Sequence, residues 1–279
     1  MDALAVAAVL TAALLHAVWN AIAHSITDRL VGFALIGAGG LLAGAAVAPF
    51  AGLPAPAAWP ALALSVVLHI AYMGGLMLSY RLGDFGQVYP LARGTAPWLV
   101  AIAAALLFGE RLPPAHLCGV VVVCAGLCAL TFSQGRPTRV HAPALGAALA
   151  TGLAIASYTV VDGFGVRSSG DPLAYIAWLM ILQGPFYGVV ALLARRGRLG
   201  AQLRPVWRLG VLGGALSMAA YGLVLWAQTV GTLAGVAALR ETGIIIGALI
   251  GTAFFGERFG AVRTAAATAV AVGVVLLSS

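Results

Sequence analysis

The chain has 279 residues, of which 62% are hydrophobic and only 8% are charged, whereas soluble domains carry about 25% charged residues. This composition excludes an ordinary soluble domain and leaves room for roughly ten membrane spans of about 20 residues. The net charge of +7 reflects arginines in short loops, and we attribute it to a basic cytoplasmic face rather than to nucleic-acid binding.

Hydropathy and the positions of Pro, Gly and Arg predict an all-α integral membrane protein with ten transmembrane helices. The predicted segments are residues 3–24, 31–50, 60–81, 86–108, 115–133, 144–165, 173–194, 208–229, 232–255 and 260–278. Because Asp2 stands where a signal peptide has basic residues, we interpret the first segment as a retained helix. A polar stretch near residue 135 divides the chain into two predicted five-helix units, 1–135 and 136–279.

The first helix carries polar residues on one face. His16, Trp19 and Asn20 are spaced by three and four residues, which brings them together on a helix. They form either a hydrogen-bonded seam with a neighbouring helix or one wall of a substrate cavity. Tyr72 in the third helix is a further candidate for such a wall, although aromatic residues also gather at membrane interfaces.

The fourth helix contains a charged residue within an apolar span. Tyr89 and Arg93 lie one turn apart, with Pro90 and Pro97 nearby. A central arginine costs about 2.5–3.5 kcal/mol on insertion scales and is tolerated where it faces protein or water. Three interpretations fit Arg93: an anion or carboxylate site in a bent helix, an arginine that satisfies carbonyl groups freed by the prolines, and an arginine that reaches the lipid headgroups.

Further candidates for substrate binding lie in the sixth, eighth and ninth helices: Tyr158, Tyr221, Arg240 and Glu241. Asp162, one turn after Tyr158, is a candidate partner of Arg240 or Arg93. A carboxyl group removed from water can take up and release a proton near neutral pH. Asp162 and Glu241, together with His16, are therefore candidates for proton coupling. An inert ion pair is an equally good interpretation of the two carboxylates.

Two stretches of the chain, residues 89–112 and 236–259, share one pattern. Each has an arginine near its start, Arg93 or Arg240, then a threonine two residues later and an FGER exit. A duplicated membrane unit is typical of secondary transporters. Because five spans are an odd number, the two units would be inverted repeats around a central cavity.

The repeat with its two GER exits, and the phrase LLHAVWNAIAH in the first helix, resemble the EamA type of the drug/metabolite transporter superfamily along essentially the whole chain. The resemblance implies a secondary transporter, an exporter of amino acids, related metabolites or toxic organic compounds, which works by alternating access without ATP. It also implies a multi-pass protein of a bacterial-type inner membrane. An internal duplication permits a monomer, and a homodimer is equally open.

The arginines are distributed unevenly between the two faces. Ten lie in the loops after the first, fifth, seventh and ninth helices, and only Arg111 and Arg167 lie in loops of the other face. This asymmetry predicts that both termini lie outside the cytoplasm, whereas members of the resembled family generally keep both inside.

Other classes of protein remain open. A channel or a non-transporting membrane scaffold would have similar composition. An intramembrane enzyme is disfavoured because the chain has neither HExxH nor GxSxG. No metal-ligand spacing is present, and we expect neither a metal nor another cofactor.

Overall fold

The structure, a computed structural model, describes residues 2–82, 85–131, 142–195, 197–246 and 260–278. In these ranges every regular element is a helix. The α-helices are α1 (Ala3–Ser25), α2 (Arg29–Ala51), α3 (Trp59–Leu82), α4 (Phe85–Phe108), α5 (Pro114–Thr131), α6 (Ala142–Ser168), α7 (Pro172–Gln183), α8 (Pro185–Arg195), α9 (Leu199–Leu203), α10 (Trp207–Val230), α11 (Leu233–Arg240) and α12 (Ala261–Ser278). A short 3-10 helix, Pro56–Ala58, precedes α3.

Short polar residues fix several helix starts. The carboxylates of Asp2, Asp28 and Asp171 accept hydrogen bonds from the first backbone N–H groups of α1, α2 and α7, which otherwise have no partner. Gly52, with φ of 75°, ends α2. A glycine adopts this conformation without steric cost, so the apolar spans begin and end where the sequence supplies capping residues.

Seven helical stretches among the described residues are long and apolar enough to cross a membrane. Two shorter apolar helices, Pro114–Ala129 and Thr264–Leu277, fall on the fifth and tenth predicted segments. The prediction of an all-helical, multi-pass membrane protein is confirmed. The count of ten spans stays a prediction, because residues 247–255 of the ninth segment lie outside the described part of the chain.

Two segments expected to be continuous helices are interrupted. The seventh consists of α7 and α8, which meet at Gly184, where Pro185 lacks the N–H needed to continue the helix. The ninth begins as α11, which ends at Arg240, and helical structure resumes after a turn at Glu241 and Thr242. Both interruptions lie beside the cavity described below.

Helices of the two predicted units pack against each other in pairs. α1 lies against α10, α3 lies against α6, α2 lies against α7, and α5 lies against α12. Exchanging the units would convert the α1–α10 pair into the α6–α3 pair and would leave the other two pairs unchanged. This pattern supports the inverted repeat, which stays a prediction together with the boundary between residues 135 and 136.

Glycines allow α2 and α10 to approach closely. A Cβ atom on Gly39 would collide with the backbone of Val211, and one on Gly214 would collide with the carbonyl oxygen of Ile36. Small residues permit such contacts between helices in a membrane. The crossing sets the spacing of two helices that wall the central cavity.

Candidate functional site

A cavity of about 110 Å³ lies at the centre of the helix bundle. Helices α1, α2, α3, α6, α7, α8, α10 and α11 contribute to its walls, so both predicted units take part. The described lining residues are Ala12, His16, Trp19, Phe33, Ile36, Gly37, Gly40, His69, Ile70, Tyr72, Met73, Tyr158, Met180, Gln183, Gly184, Tyr187, Gly214, Ser217, Ala220, Tyr221, Val224 and Arg240.

Aromatic rings form one continuous part of the wall. The His69 ring stacks on Tyr158, with ring centroids 4.1 Å apart and an angle of 28° between the planes. Tyr72 and Tyr221 each meet Tyr158 edge to face, at 5.5 and 6.1 Å. Offset and edge-to-face packing of this kind holds the rings in fixed orientations. The wall therefore offers a preformed surface to a flat or apolar ligand.

On α1 a hydrogen bond links two cavity residues. Trp19 Nε1 lies 3.2 Å from His16 Nδ1 and donates to it, while Asn20 Nδ2 donates to the His16 carbonyl oxygen at 2.7 Å. Asn20 does not line the cavity. Its amide instead contacts the backbone of the helix that carries His16 and Trp19.

Asp162 lies fully buried behind the aromatic wall. The Tyr175 hydroxyl donates to Oδ1 at 2.8 Å, and the Tyr221 hydroxyl donates to Oδ2 at 2.5 Å. Both carboxylate oxygens thus have a short hydrogen bond, as a buried carboxylate requires. Because Tyr221 also lines the cavity, it connects this carboxylate to the cavity wall.

A buried ion pair occupies the interruption after α11. Glu241 Oε2 accepts a hydrogen bond from Arg93 Nε at 2.8 Å, and the two side chains are 0% and 2% exposed. Arg93 comes from α4 and Glu241 from the turn that ends α11. The pair therefore joins the two stretches that the sequence repeat aligns.

Arg240 precedes this turn and faces the cavity. It is 3% exposed, and its Nε lies 3.9 Å from Glu241 Oε1, which is too long for a hydrogen bond. Among the described residues, neither Nε nor Nη2 of Arg240 has a hydrogen-bond partner. A buried guanidinium group with unused donors is suited to binding an anionic group, since bidentate contacts to a carboxylate are strong.

The glutamate of the first FGER exit joins three elements at one end of the bundle. Glu110 Oε1 accepts from Arg167 Nη2 at 3.0 Å, and Glu110 Oε2 accepts from the backbone N–H of Leu233 at 3.0 Å. Arg167 also donates to the carbonyl oxygens of Gln228 and Gly231. The cluster ties the end of α4 to α6 and to the start of α11.

Another ion pair lies at the opposite end, if each long helix crosses the membrane. Arg195 Nη2 at the end of α8 lies 2.6 Å from Asp28 Oδ2, in the connection between α1 and α2. Both side chains are about one-third exposed, at 35% and 33%. Each end of the bundle therefore has an ion pair between the two predicted units.

The structure distributes the predicted site residues unequally. Those that line the cavity are His16, Trp19, Tyr72, Tyr158, Tyr221 and Arg240. Arg93, Glu241 and Asp162 are buried around it, and the side chain of Tyr89 lies outside the described ones. Sequence reasoning missed His69, although it is three residues before Tyr72 and shares its helix face. Within the described ranges, no three His, Cys, Asp or Glu side chains gather as metal ligands would.

Comparison with known proteins identifies the fold and the family. A solved structure, described only as the crystal structure of a protein, superimposes with a TM-score of 0.76 over 99% of this chain and 96% of that one, at 19% sequence identity. No curated protein matches the chain. Residues 142–279 match the EamA-like transporter family, which confirms the resemblance found in the sequence. The second half of the chain is therefore similar to a family of membrane transporters.

Proposed function

We propose that the protein is a secondary active transporter that exports a small polar or amphipathic metabolite, an amino acid or a related compound, by alternating access. The observation that carries the proposal is the interruption at Arg240 and Glu241 beside a central cavity. Broken helices at the middle of the membrane form the substrate sites of many transporters. A bacterial-type inner membrane is the proposed location, and the active unit is a monomer or a homodimer.

We propose that the cavity residues hold the substrate between aromatic rings and Arg240. His16, Trp19, Tyr72, Tyr158 and Tyr221 would contact its body. Asn20 stays a candidate on the sequence pattern, because its amide donates to the backbone carbonyl of His16 and does not line the cavity. Arg93 would act from behind the wall through Glu241. Tyr89 stays a candidate on the sequence pattern alone.

The two peripheral ion pairs support the alternating-access proposal. Glu110–Arg167 and Asp28–Arg195 each join the predicted units near one end of the bundle. Partly exposed pairs contribute only about 0–1 kcal/mol each, so a rocking motion can break one without a large cost. The cavity would open to one side of the membrane when the ion pair at that end separates, while the ion pair at the other end stays intact.

Protons are the proposed coupling ion, and three groups are candidates to carry them. Glu241 contacts Arg93 and lies near Arg240. Asp162 contacts Tyr175 and Tyr221, and His16 lines the cavity. Protonation of Glu241 would weaken its attraction to both arginines, which gives it the most direct link to the helix interruption.

Transport from proteoliposomes tests the proposal. Vesicles containing the purified protein are loaded with a metabolite mixture, and the released compounds are identified by mass spectrometry with and without an imposed proton gradient. We expect selective, saturable release that Arg240→Gln abolishes and that Arg208→Gln, a change at an exposed arginine, leaves intact. Release of no compound would reject the transporter. Unitary currents in a planar bilayer would favour the channel instead.

A further inference from the structure

We propose that the cavity is selective for a monovalent organic carboxylate with a flat, apolar body, and that it discriminates against zwitterions and cations. This inference rests on the proposed function and narrows its substrate class, from amino acids and related compounds to the related carboxylates that lack an ammonium group. The juxtaposition that carries it is a buried arginine, Arg240, with two nitrogens that lack a hydrogen-bond partner among the described residues, in a cavity wall whose other described residues are mainly aromatic and apolar and include no carboxylate.

Among the described residues, Arg240 is a cation at the cavity wall whose nearest carboxylate is too distant for a hydrogen bond. Glu241 is bonded to Arg93 at 2.8 Å, whereas its other oxygen is 3.9 Å from Arg240. Arg240 is 97% buried, and two of its nitrogens have no hydrogen-bond partner among the described residues. A buried charge is costly unless it is paired. An incoming carboxylate would supply both the missing charge and the missing acceptors.

Among the described lining residues, the wall offers an ammonium group only uncharged polar side chains such as Gln183 and Ser217, and no carboxylate. None of the described lining residues is Asp or Glu. Asp162 lies behind the wall, and both of its oxygens already accept tyrosine hydroxyl groups. An amino acid would satisfy Arg240 but would leave its ammonium group without a carboxylate partner in the described wall. A cation would face Arg240 directly, so the aromatic rings alone would have to offset the repulsion.

The volume of the cavity and the aromatic rings in its wall indicate the size and shape of the apolar part of the ligand. The volume of about 110 Å³ is of the order of the engineered cavity of about 150 Å³ that binds benzene. The His69–Tyr158 stack and the edge-to-face rings of Tyr72 and Tyr221 present flat apolar faces. A single ring or a short hydrocarbon chain fits these walls, with its carboxylate directed at Arg240.

Four ligands that share a phenyl ring but differ in charge test the proposed selectivity on the unmutated protein. Binding of benzoate, benzyl alcohol, benzylamine and phenylalanine to the purified full chain in nanodiscs is measured by titration calorimetry at neutral pH. We expect benzoate to bind at least about tenfold more tightly than the other three, as one charge-assisted hydrogen bond provides. Phenylalanine or benzylamine binding as tightly as benzoate would overturn the inference.

Substitutions of Arg240 test whether this residue contacts the carboxylate of the ligand. Arg240→Gln should weaken benzoate binding roughly 10- to 100-fold and leave benzyl alcohol unchanged. Arg240→Lys should retain part of the affinity, because it keeps the charge but loses the bidentate geometry. Arg208→Gln is the matched arginine control, since Arg208 is exposed. Equal benzoate affinity for the wild type and Arg240→Gln would refute the assignment.

Measurements of transport across proteoliposomes distinguish a failure of this inference from a failure of the proposed function. Saturable transport of labelled phenylalanine or benzylamine without benzoate binding would reject the carboxylate class and keep the transporter. Selective benzoate binding with no flux of any probe across proteoliposomes would support the site chemistry and reject the transporter.

Discussion

Removing the carboxylate of Glu241 should destabilise the protein more than any other single change to its ion pairs. Glu241→Gln keeps the size of the side chain but leaves Arg93 and Arg240 without the acid that lies 2.8 Å from one and 3.9 Å from the other. Arg93 and Glu241 are 2% and 0% exposed, so water cannot take the place of the lost charge beside Arg93. Arg93→Gln should cost less, because Glu241 would still face Arg240.

The burial of the Arg93–Glu241 ion pair determines how much stability each substitution removes. Breaking a buried ion pair by removing one partner costs about 3–5 kcal/mol, and we expect Glu241→Gln near the upper end and Arg93→Gln near the lower end. At roughly 2–4 °C per kcal/mol for a chain of this size, the melting temperature should fall by about 6–20 °C. Thermal unfolding of the purified protein in detergent, followed by circular dichroism, measures this shift.

An exposed pair provides the control. Asp28→Asn removes the ion pair with Arg195 but keeps an oxygen that can cap α2, and both partners are about one-third exposed. This change should cost no more than about 1 kcal/mol. If Glu241→Gln shifts the melting temperature no further than Asp28→Asn, the argument that the buried pair holds the interrupted helix is refuted.

Three further changes test other contacts. Gly214→Ala should cost about 1–3 kcal/mol by overpacking the α2–α10 crossing, whereas Gly146→Ala, with open space around its Cβ, should not lower the melting temperature; equal melting curves would contradict this. Tyr221→Phe removes one of two hydroxyls from Asp162 and should cost about 1.5–3 kcal/mol in thermal unfolding; an unchanged melting temperature would disprove it. Glu110→Gln should change stability by no more than about 1 kcal/mol but speed amide exchange at the start of α11, and unchanged exchange would count against the Glu110 contact with Leu233.

The span pattern could be predicted from the sequence because it depends on hydropathy and breakers. The break between α7 and α8 is also readable, since Gly184 and Pro185 are adjacent. The interruption after Arg240 is not, because the residues at the turn are Glu241 and Thr242. Neither residue type is a strong helix breaker, and the turn follows from tertiary contacts such as the ion pair with Arg93.

The candidate site was predictable in composition but not in arrangement. The sequence repeat aligns Arg93 with Arg240, yet the structure pairs Arg93 with Glu241 and leaves Arg240 at the cavity. Periodicity tells which helix face a residue occupies, but not which residue of another helix it meets. His69 was missed because an isolated histidine in an apolar helix shows no motif, although its spacing to Tyr72 places both on one face.

Counterflow in proteoliposomes is the most direct test of transport through the central cavity. Vesicles are preloaded with unlabelled benzoate, and the transient accumulation of labelled benzoate is followed from outside. A carrier of this kind predicts an overshoot that Arg240→Gln removes and Arg208→Gln retains. A protein that releases or admits benzoate without any overshoot, or an overshoot unchanged by Arg240→Gln, would contradict the account.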